Sequence, residues 1–105
     1  RSLGAGDGEV DAAADAVARA LAHPLLRRAA ASSRCLREFP VIVEAGAGRL
    51  VEGAVDLAFL EGEVWHVVDF KTDAPTEAHE RQIAWYVYAM ARITGRGAVG
   101  WLLSL

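Results

Sequence analysis

The sequence contains very little cysteine: Cys35 is the only one among 105 residues. A single cysteine excludes an internal disulfide and a cysteine-rich zinc site, and we expect a protein of the reducing cytoplasm. Long hydrophobic runs are also missing, because none approaches the roughly 20 apolar residues that cross a bilayer. These two features predict a protein with neither a disulfide framework nor a membrane span.

Basic charge is not in excess either, since 11 Lys and Arg residues stand against 14 Asp and Glu, for a formal charge of −3. Nucleic-acid-binding domains usually carry a net basic surface, so the overall charge does not by itself indicate one. A catalytic metal site is not excluded, because such a site needs local acidic residues. The 53% hydrophobic content favours one packed domain over a disordered chain.

The first residues, "RSLGAGDGEV", contain neither a starting methionine nor an apolar signal region. We therefore expect the 105 residues to be a piece of a longer protein, forming one domain of it. Residues 1–9 are rich in glycine and are predicted to be disordered.

The remaining pattern predicts helices and strands in the order α-α-β-β-β-α-β. Ala-rich residues 11–22 and the segment after Pro24 favour helices. Thr76 and Gly95 are typical of the two ends of a long helix over 77–94. The predicted strands are 37–45, 49–60, 63–70 and 97–105. This is an α/β class with a mixed sheet of about four strands flanked by helices.

Strands 49–60 and 63–70 are predicted to form a hairpin with the two-residue loop Glu61-Gly62. That register places Asp56 opposite Val67, so that Asp69 is its diagonal neighbour, with Cα atoms roughly 7–8 Å apart. Lys71 lies two residues after Asp69 and therefore projects from the same face. The opposite face is predicted to carry apolar side chains, namely Val55, Leu57 and Phe59.

Two carboxylates this close repel each other unless a cation intervenes or one of them is protonated. Mg²⁺ or Mn²⁺ fits this requirement, because hard divalent ions prefer oxygen ligands. Lys71 would then stabilise charge that develops on a bound phosphate. The alternative is a salt bridge in which Lys71 neutralises one aspartate, and the geometry alone leaves both interpretations open.

Three segments, "EGAVDLAF", "VVDFKTD" and "QIAWY", occur in this order over residues 52–86. Together they resemble the nuclease domain of the RecB/AddA type, within the PD-(D/E)XK superfamily. The resemblance implies a restriction-endonuclease-like three-layer fold and a DNA nuclease dependent on Mg²⁺ or Mn²⁺. It also implies that Asp56 and Asp69 bind the metal together with the backbone carbonyl of Phe70, and that Lys71 is the catalytic lysine.

The same resemblance implies that Gln82 and Tyr86, one helical turn apart, face the active site or the DNA. Glu38 resembles a glutamate that often begins the first strand in this family and supports the site. The chain departs from the family in one respect: the usual His or Glu ligand from an earlier helix has no visible counterpart.

The implied partners are DNA, the helicase domain of a parent chain of the UvrD/Rep-like kind, and a second subunit. An alternative function is a catalytically inactive nuclease-like scaffold that binds DNA or a partner subunit. A third is a plain α/β interaction domain in which Lys71 pairs with Asp69. Trp65 and Trp85 are candidates for stacking on a single-stranded base, although we expect both to pack within the protein.

Overall fold

A computed structural model describes residues 23–44 and 46–104 of the chain. These residues form two helices, α1 (Pro24–Ala31) and α2 (Glu77–Thr94), and four strands, β1 (Cys35–Glu44), β2 (Leu50–Glu61), β3 (Val64–Lys71) and β4 (Gly97–Ser104). Their order along the chain agrees with the prediction for this part of the sequence. The predicted helix over 11–22 and the predicted disorder over 1–9 lie outside the described residues.

The four strands form one sheet in the order β1-β2-β3-β4. β2 is antiparallel to both β1 and β3, because short turns connect these strands. β4 is parallel to β3, because α2 carries the chain back to the same end of the sheet. The predicted α/β class and the mixed four-stranded sheet are confirmed.

The two helices pack against opposite faces of the sheet. Ala58 and Phe59 are adjacent in β2, and successive side chains of a strand point to opposite faces. Phe59 joins a buried cluster with Leu25 of α1, whereas Ala58 joins a second cluster with Met90 of α2. The sheet is therefore the middle of three layers.

Both helices begin where the sequence predicts. Pro24 is at the first position of α1, and the His23 side chain accepts a hydrogen bond from the Leu25 N–H at its N-terminus. Thr76 caps α2 in a reciprocal arrangement with His79. Neither helix within the described ranges is long and apolar enough to span a bilayer.

The hairpin turn lies one residue later than predicted. Glu61 pairs with Val64, so the two loop residues are Gly62 and Glu63 rather than Glu61 and Gly62. The reason is the backbone of Gly62, whose φ of +63° is the left-handed conformation that a two-residue hairpin loop requires at its first position. Glycine therefore occupies the first loop position, not the second.

This shift brings the two aspartates closer than predicted. Pairing between β2 and β3 ends at Leu57 and Val68, and the next position in the same register is Asp56 with Asp69. The predicted partner of Asp56, Val67, instead pairs with Ala58. Asp56 and Asp69 are therefore positioned directly across the hairpin, not diagonally.

The prediction that Val55 shares a face with Leu57 and Phe59 is wrong. Leu57 and Phe59 pack with α1, but Val55 belongs to the buried cluster of α2. The alternation is interrupted where the β1–β2 pairing omits Glu38, whose φ is +47°. Asp56 is left unpaired opposite Glu38, with the same register on both sides, so β1 and β2 turn together at this position and Val55 changes face.

Candidate functional site

The site begins where β2 separates from β3. Asp56 is the first residue of β2 beyond the paired segment. Its Oδ2 accepts a hydrogen bond of 2.9 Å from the backbone N–H of Phe70. The carboxylate thus takes the position that a strand carbonyl would have if the pairing continued, which fixes it at the end of the hairpin.

Asp69 lies across from it and is only 5% exposed. Its Oδ2 lies 2.9 Å from Nζ of Lys71, so the two form an ion pair. By strict geometry this buried oxygen accepts no hydrogen bond from the described residues, but the ammonium of Lys71 lies close enough to neutralise part of its charge.

The neighbouring charges change the proton affinity of Asp56 and of Lys71. Burial and the neighbouring carboxyl of Asp69 raise the pKa of Asp56, against the opposing effects of the Phe70 N–H and the Lys71 charge. The ion pair with Asp69 raises the pKa of Lys71, and the charge of Asp56 adds to this effect. Two acidic groups thus share a site that favours positive charge.

Tyr86 reaches this end of the sheet from α2. A Cβ atom added to Gly53 would lie 2.8 Å from the Tyr86 Oη and 2.9 Å from its Cε1. The ring therefore lies directly over Gly53, three residues before Asp56. Gln82, one turn earlier on α2, is exposed.

Glu38 in β1 lies opposite Asp56 in β2, at a position where these two strands are not paired. Its side chain is exposed, and its backbone has a φ of +47°. A left-handed conformation is costly for glutamate, and such strain concentrates near functional sites. Glu38 thus adjoins the site through its backbone position.

Asp56 and Asp69 are the side chains of the described part of the chain that suit a divalent cation. Among residues 23–44 and 46–104, no group of three or more His, Cys, Asp or Glu side chains is arranged to hold a metal ion. His23 and His79 are used in helix capping. His66 stacks on Phe59, on the α1 face of the sheet.

The two candidate stacking tryptophans have different environments. Trp65 is buried, with 1% exposure, so it packs as expected. Trp85 is 39% exposed on the outer face of α2, which contradicts the expectation that it packs inside. Tyr88, which lies next to Trp85, is a further exposed aromatic residue. Its spacing of three residues from Trp85 would have placed both on one helix face.

No model of a known protein family matches the chain, and no curated protein matches its sequence. The resemblance to the RecB/AddA-type nuclease domain therefore depends on the motif residues alone.

Asp56→Asn should stabilise the metal-free protein at neutral pH. The pKa of Asp56 is raised in the folded state, so folding is favoured most below the ordinary aspartate pKa and loses stability as the pH rises through the raised value. Asparagine removes this charge and still accepts the Phe70 N–H. The expected gain is about 0.5–1 kcal/mol, near the lower end for stabilising substitutions because solvent partly screens Asp56.

Urea unfolding between pH 3 and pH 8 measures this effect. The advantage of Asp56→Asn should shrink toward pH 3, where the wild-type carboxyl is protonated. Asp73→Asn is the matched control, since Asp73 is exposed in the loop after β3. Equal stability changes in the two variants across the pH range would contradict the proposed repulsion between Asp56 and Asp69.

Proposed function

We propose that the chain is a metal-dependent DNA nuclease domain that hydrolyses phosphodiester bonds. It would belong to an ATP-dependent helicase-nuclease of DNA repair and recombination, with a helicase domain in the parent chain and a second subunit as partners. The observation that carries this proposal is the position of Asp56, Asp69 and Lys71, two neighbouring carboxylates and an ammonium at the point where two strands separate.

The residues present fit a divalent ion such as Mg²⁺ or Mn²⁺. Asp69 Oδ2 is buried next to a second carboxylate, so that two acidic groups share the single ammonium of Lys71, and a divalent cation would neutralise the remaining negative charge. One or two carboxylates suffice, because Mg²⁺ retains several waters and also binds substrate phosphates. Asp56 and Asp69 would hold the ion, with the carbonyl of Phe70 as a further ligand.

The chemistry follows from the charges around this position. A divalent ion bound there supplies Lewis-acid polarisation of the phosphate oxygens. Lys71 keeps its proton, because Asp69 and Asp56 raise its pKa, and its Nζ–H groups would donate to a phosphate oxygen as negative charge develops. Asp69 holds the lysine in place through the ion pair.

The helix that crosses from β3 to β4 supports the finer fold assignment, a restriction-endonuclease-like core. The "VVDFKTD" and "QIAWY" motifs lie on β3 and α2, the elements to which the resemblance assigns them. Tyr86 packs over Gly53 of the first motif, so segments separated by about thirty residues contact one another beside the carboxylates. Gln82 is on the same helix and would contact the DNA backbone.

Calorimetric titration with Mn²⁺ tests the metal site. The wild-type chain should bind weakly, and Asp69→Ala should abolish the binding, since it removes the buried ligand oxygen. Asp73→Ala, which removes an equal charge from the exposed loop, should bind as the wild type does. Identical heats for Asp69→Ala and the wild type would refute the metal site.

A nuclease-like scaffold that binds DNA without cutting it is the second candidate. It is favoured by the finding that no third acidic or histidine side chain joins Asp56 and Asp69 within residues 23–44 and 46–104. The two candidates differ in their response to metal. A scaffold would retain DNA with or without Mn²⁺ and release no nucleotides, whereas a nuclease would shorten linear DNA only when Mn²⁺ or Mg²⁺ is present.

A further inference from the structure

The solvent-facing side of α2 carries a row of aromatic and basic residues with no structural role in the core. Its members are spaced four, three and four residues apart, which places them on one face of a helix. We call this row the outer stripe, and it consists of Arg81, Trp85, Tyr88 and Arg92. Two rings thus lie between two guanidinium groups.

The rings of the outer stripe are accessible and held in a defined orientation. Trp85 is 39% exposed and Tyr88 is 43% exposed. Their centroids lie 5.8 Å apart with an interplanar angle of 85°, so they pack edge to face. Each ring therefore keeps part of its surface available to a ligand.

The guanidinium groups are also available. Arg92 lies over the Tyr88 ring, with its Cζ 5.8 Å from the centroid. Arg81 is largely exposed, and its nearest acidic partner, Glu77, is 4.0 Å away at the surface, where such a pair contributes little. Neither arginine is committed to a strong ion pair among the described residues.

An open groove of about 560 Å³ runs beside the stripe. Arg81, Trp85 and Tyr88 form one wall of the groove. The opposite wall is formed by Glu44 and Gly46 at the end of β1. Arg49 belongs to the same turn as Gly46, because its N–H donates to the Gly46 carbonyl at 2.9 Å. Among the described residues that line the groove, Arg81 is basic and Glu44 is acidic, and the rings of Trp85 and Tyr88 supply aromatic surface.

We infer that the outer stripe binds single-stranded nucleic acid, with bases stacked on Trp85 and Tyr88 and phosphates contacted by Arg81 and Arg92. Exposed rings alternating with basic side chains are the combination that holds single strands without reading their sequence. A duplex would not suit, because its base faces are already covered by stacking. The inference rests on the proposed function, since it assigns a substrate form to that nuclease.

The stripe is next to the candidate site along the same helix. Tyr86, which packs over Gly53, follows Trp85 directly in α2. The stripe would hold the single strand of nucleic acid while the site acts on it.

Fluorescence anisotropy of a labelled oligothymidylate, measured in EDTA so that no cleavage occurs, tests the inference. Trp85→Ala should weaken binding about tenfold, through the lost stacking contribution. Arg81→Ala should weaken it and lower the salt dependence of binding, because one phosphate contact is lost. Glu44→Gln should strengthen it, because the change removes a repelling charge.

Ile93→Ala is the matched control, since Ile93 is 49% exposed on the same helix but lies outside the stripe. Equal affinities of Trp85→Ala and Ile93→Ala would overturn the inference. It would also be overturned if sedimentation showed that the wild type is a dimer and that Trp85→Ala weakens binding by dissociating it. Circular dichroism of each variant confirms that it folds. If Trp85→Ala does not fold, Arg81→Ala is the second variant that tests the inference.

The failure of this inference can be told apart from the failure of the nuclease proposal. If Trp85→Ala weakens binding and no metal-dependent cleavage occurs, the role of the outer stripe is supported and the nuclease proposal is refuted. If metal-dependent cleavage occurs and Trp85→Ala binds as the wild type does, the nuclease proposal is supported and the role of the outer stripe is refuted.

Discussion

Replacing Lys71 with alanine should slow DNA cleavage by about 100- to 1,000-fold, the effect of removing one group that stabilises transition-state charge. The affinity for Mn²⁺ should stay close to that of the wild type, because the ligand oxygens of Asp56 and Asp69 remain. This separation of chemistry from binding is the expected signature of a catalytic lysine. In the alternative, where Lys71 only neutralises Asp69, the loss of the ammonium would mainly change stability.

The measurement is the rate at which linear single-stranded DNA releases nucleotides at saturating Mn²⁺, for both proteins. Arg96→Ala is the control for lost positive charge, since Arg96 pairs with Glu63 at the start of β4, away from the site. Cleavage by Lys71→Ala at the rate of Arg96→Ala would exclude a catalytic role. Lys71 is the only lysine of the chain, so isotopic methylation also reports directly on its charge by NMR.

The face shared by the two aspartates could be predicted because it is insensitive to a small register error. The turn proved to be centred on Gly62 and Glu63, one residue later than predicted. This shift moves the partner of Asp56 by two positions, from Val67 to Asp69, and side chains two apart in a strand share a face. If the partner of Asp56 had moved by an odd number of positions, the two carboxylates would lie on opposite faces of the sheet.

The kink at Glu38 could not be predicted from the sequence. Glycine marks a left-handed turn, as at Gly62, but a glutamate with a φ of +47° carries no such signal. Its conformation is set by the strand pairing on either side, between Arg37 and Leu57 and between Phe39 and Val55. The predicted face of Val55 is therefore wrong, whereas simple alternation holds from Leu57 to Phe70.

The exposure of Trp85 could be predicted in principle from helical periodicity. Trp85 is two residues from the core residue Ile83, which places it about 200° around the helix axis. Its size and apolar surface favour burial, and here the helical periodicity is the better guide. A large aromatic side chain on the polar face of a helix indicates a binding surface better than it indicates a core.

Gly53→Ala should destabilise the protein by about 1–3 kcal/mol, the usual cost of overpacking. The added methyl group would lie 2.8 Å from Tyr86 Oη and 3.2 Å from Cζ, closer than non-bonded atoms approach. Tyr86 would have to leave its position over β2, so cleavage should fall as well. Gly97→Ala is the matched control, since its nearest neighbour, a methyl group of Val64, would be 4.0 Å away.

A double-mutant cycle identifies Tyr86 as the cause. In the Tyr86→Ala background the ring is gone, so Gly53→Ala should become neutral or slightly stabilising, because alanine restricts the unfolded chain more than glycine does. Urea unfolding of the four proteins measures the cycle. If Gly53→Ala lowers the free energy of unfolding as much in the Tyr86→Ala background as in the wild type, the glycine is needed for the backbone of β2 and not for the Tyr86 ring. A cost that vanishes shows that Gly53 makes room for Tyr86, and that the first and third motifs act together beside the carboxylates.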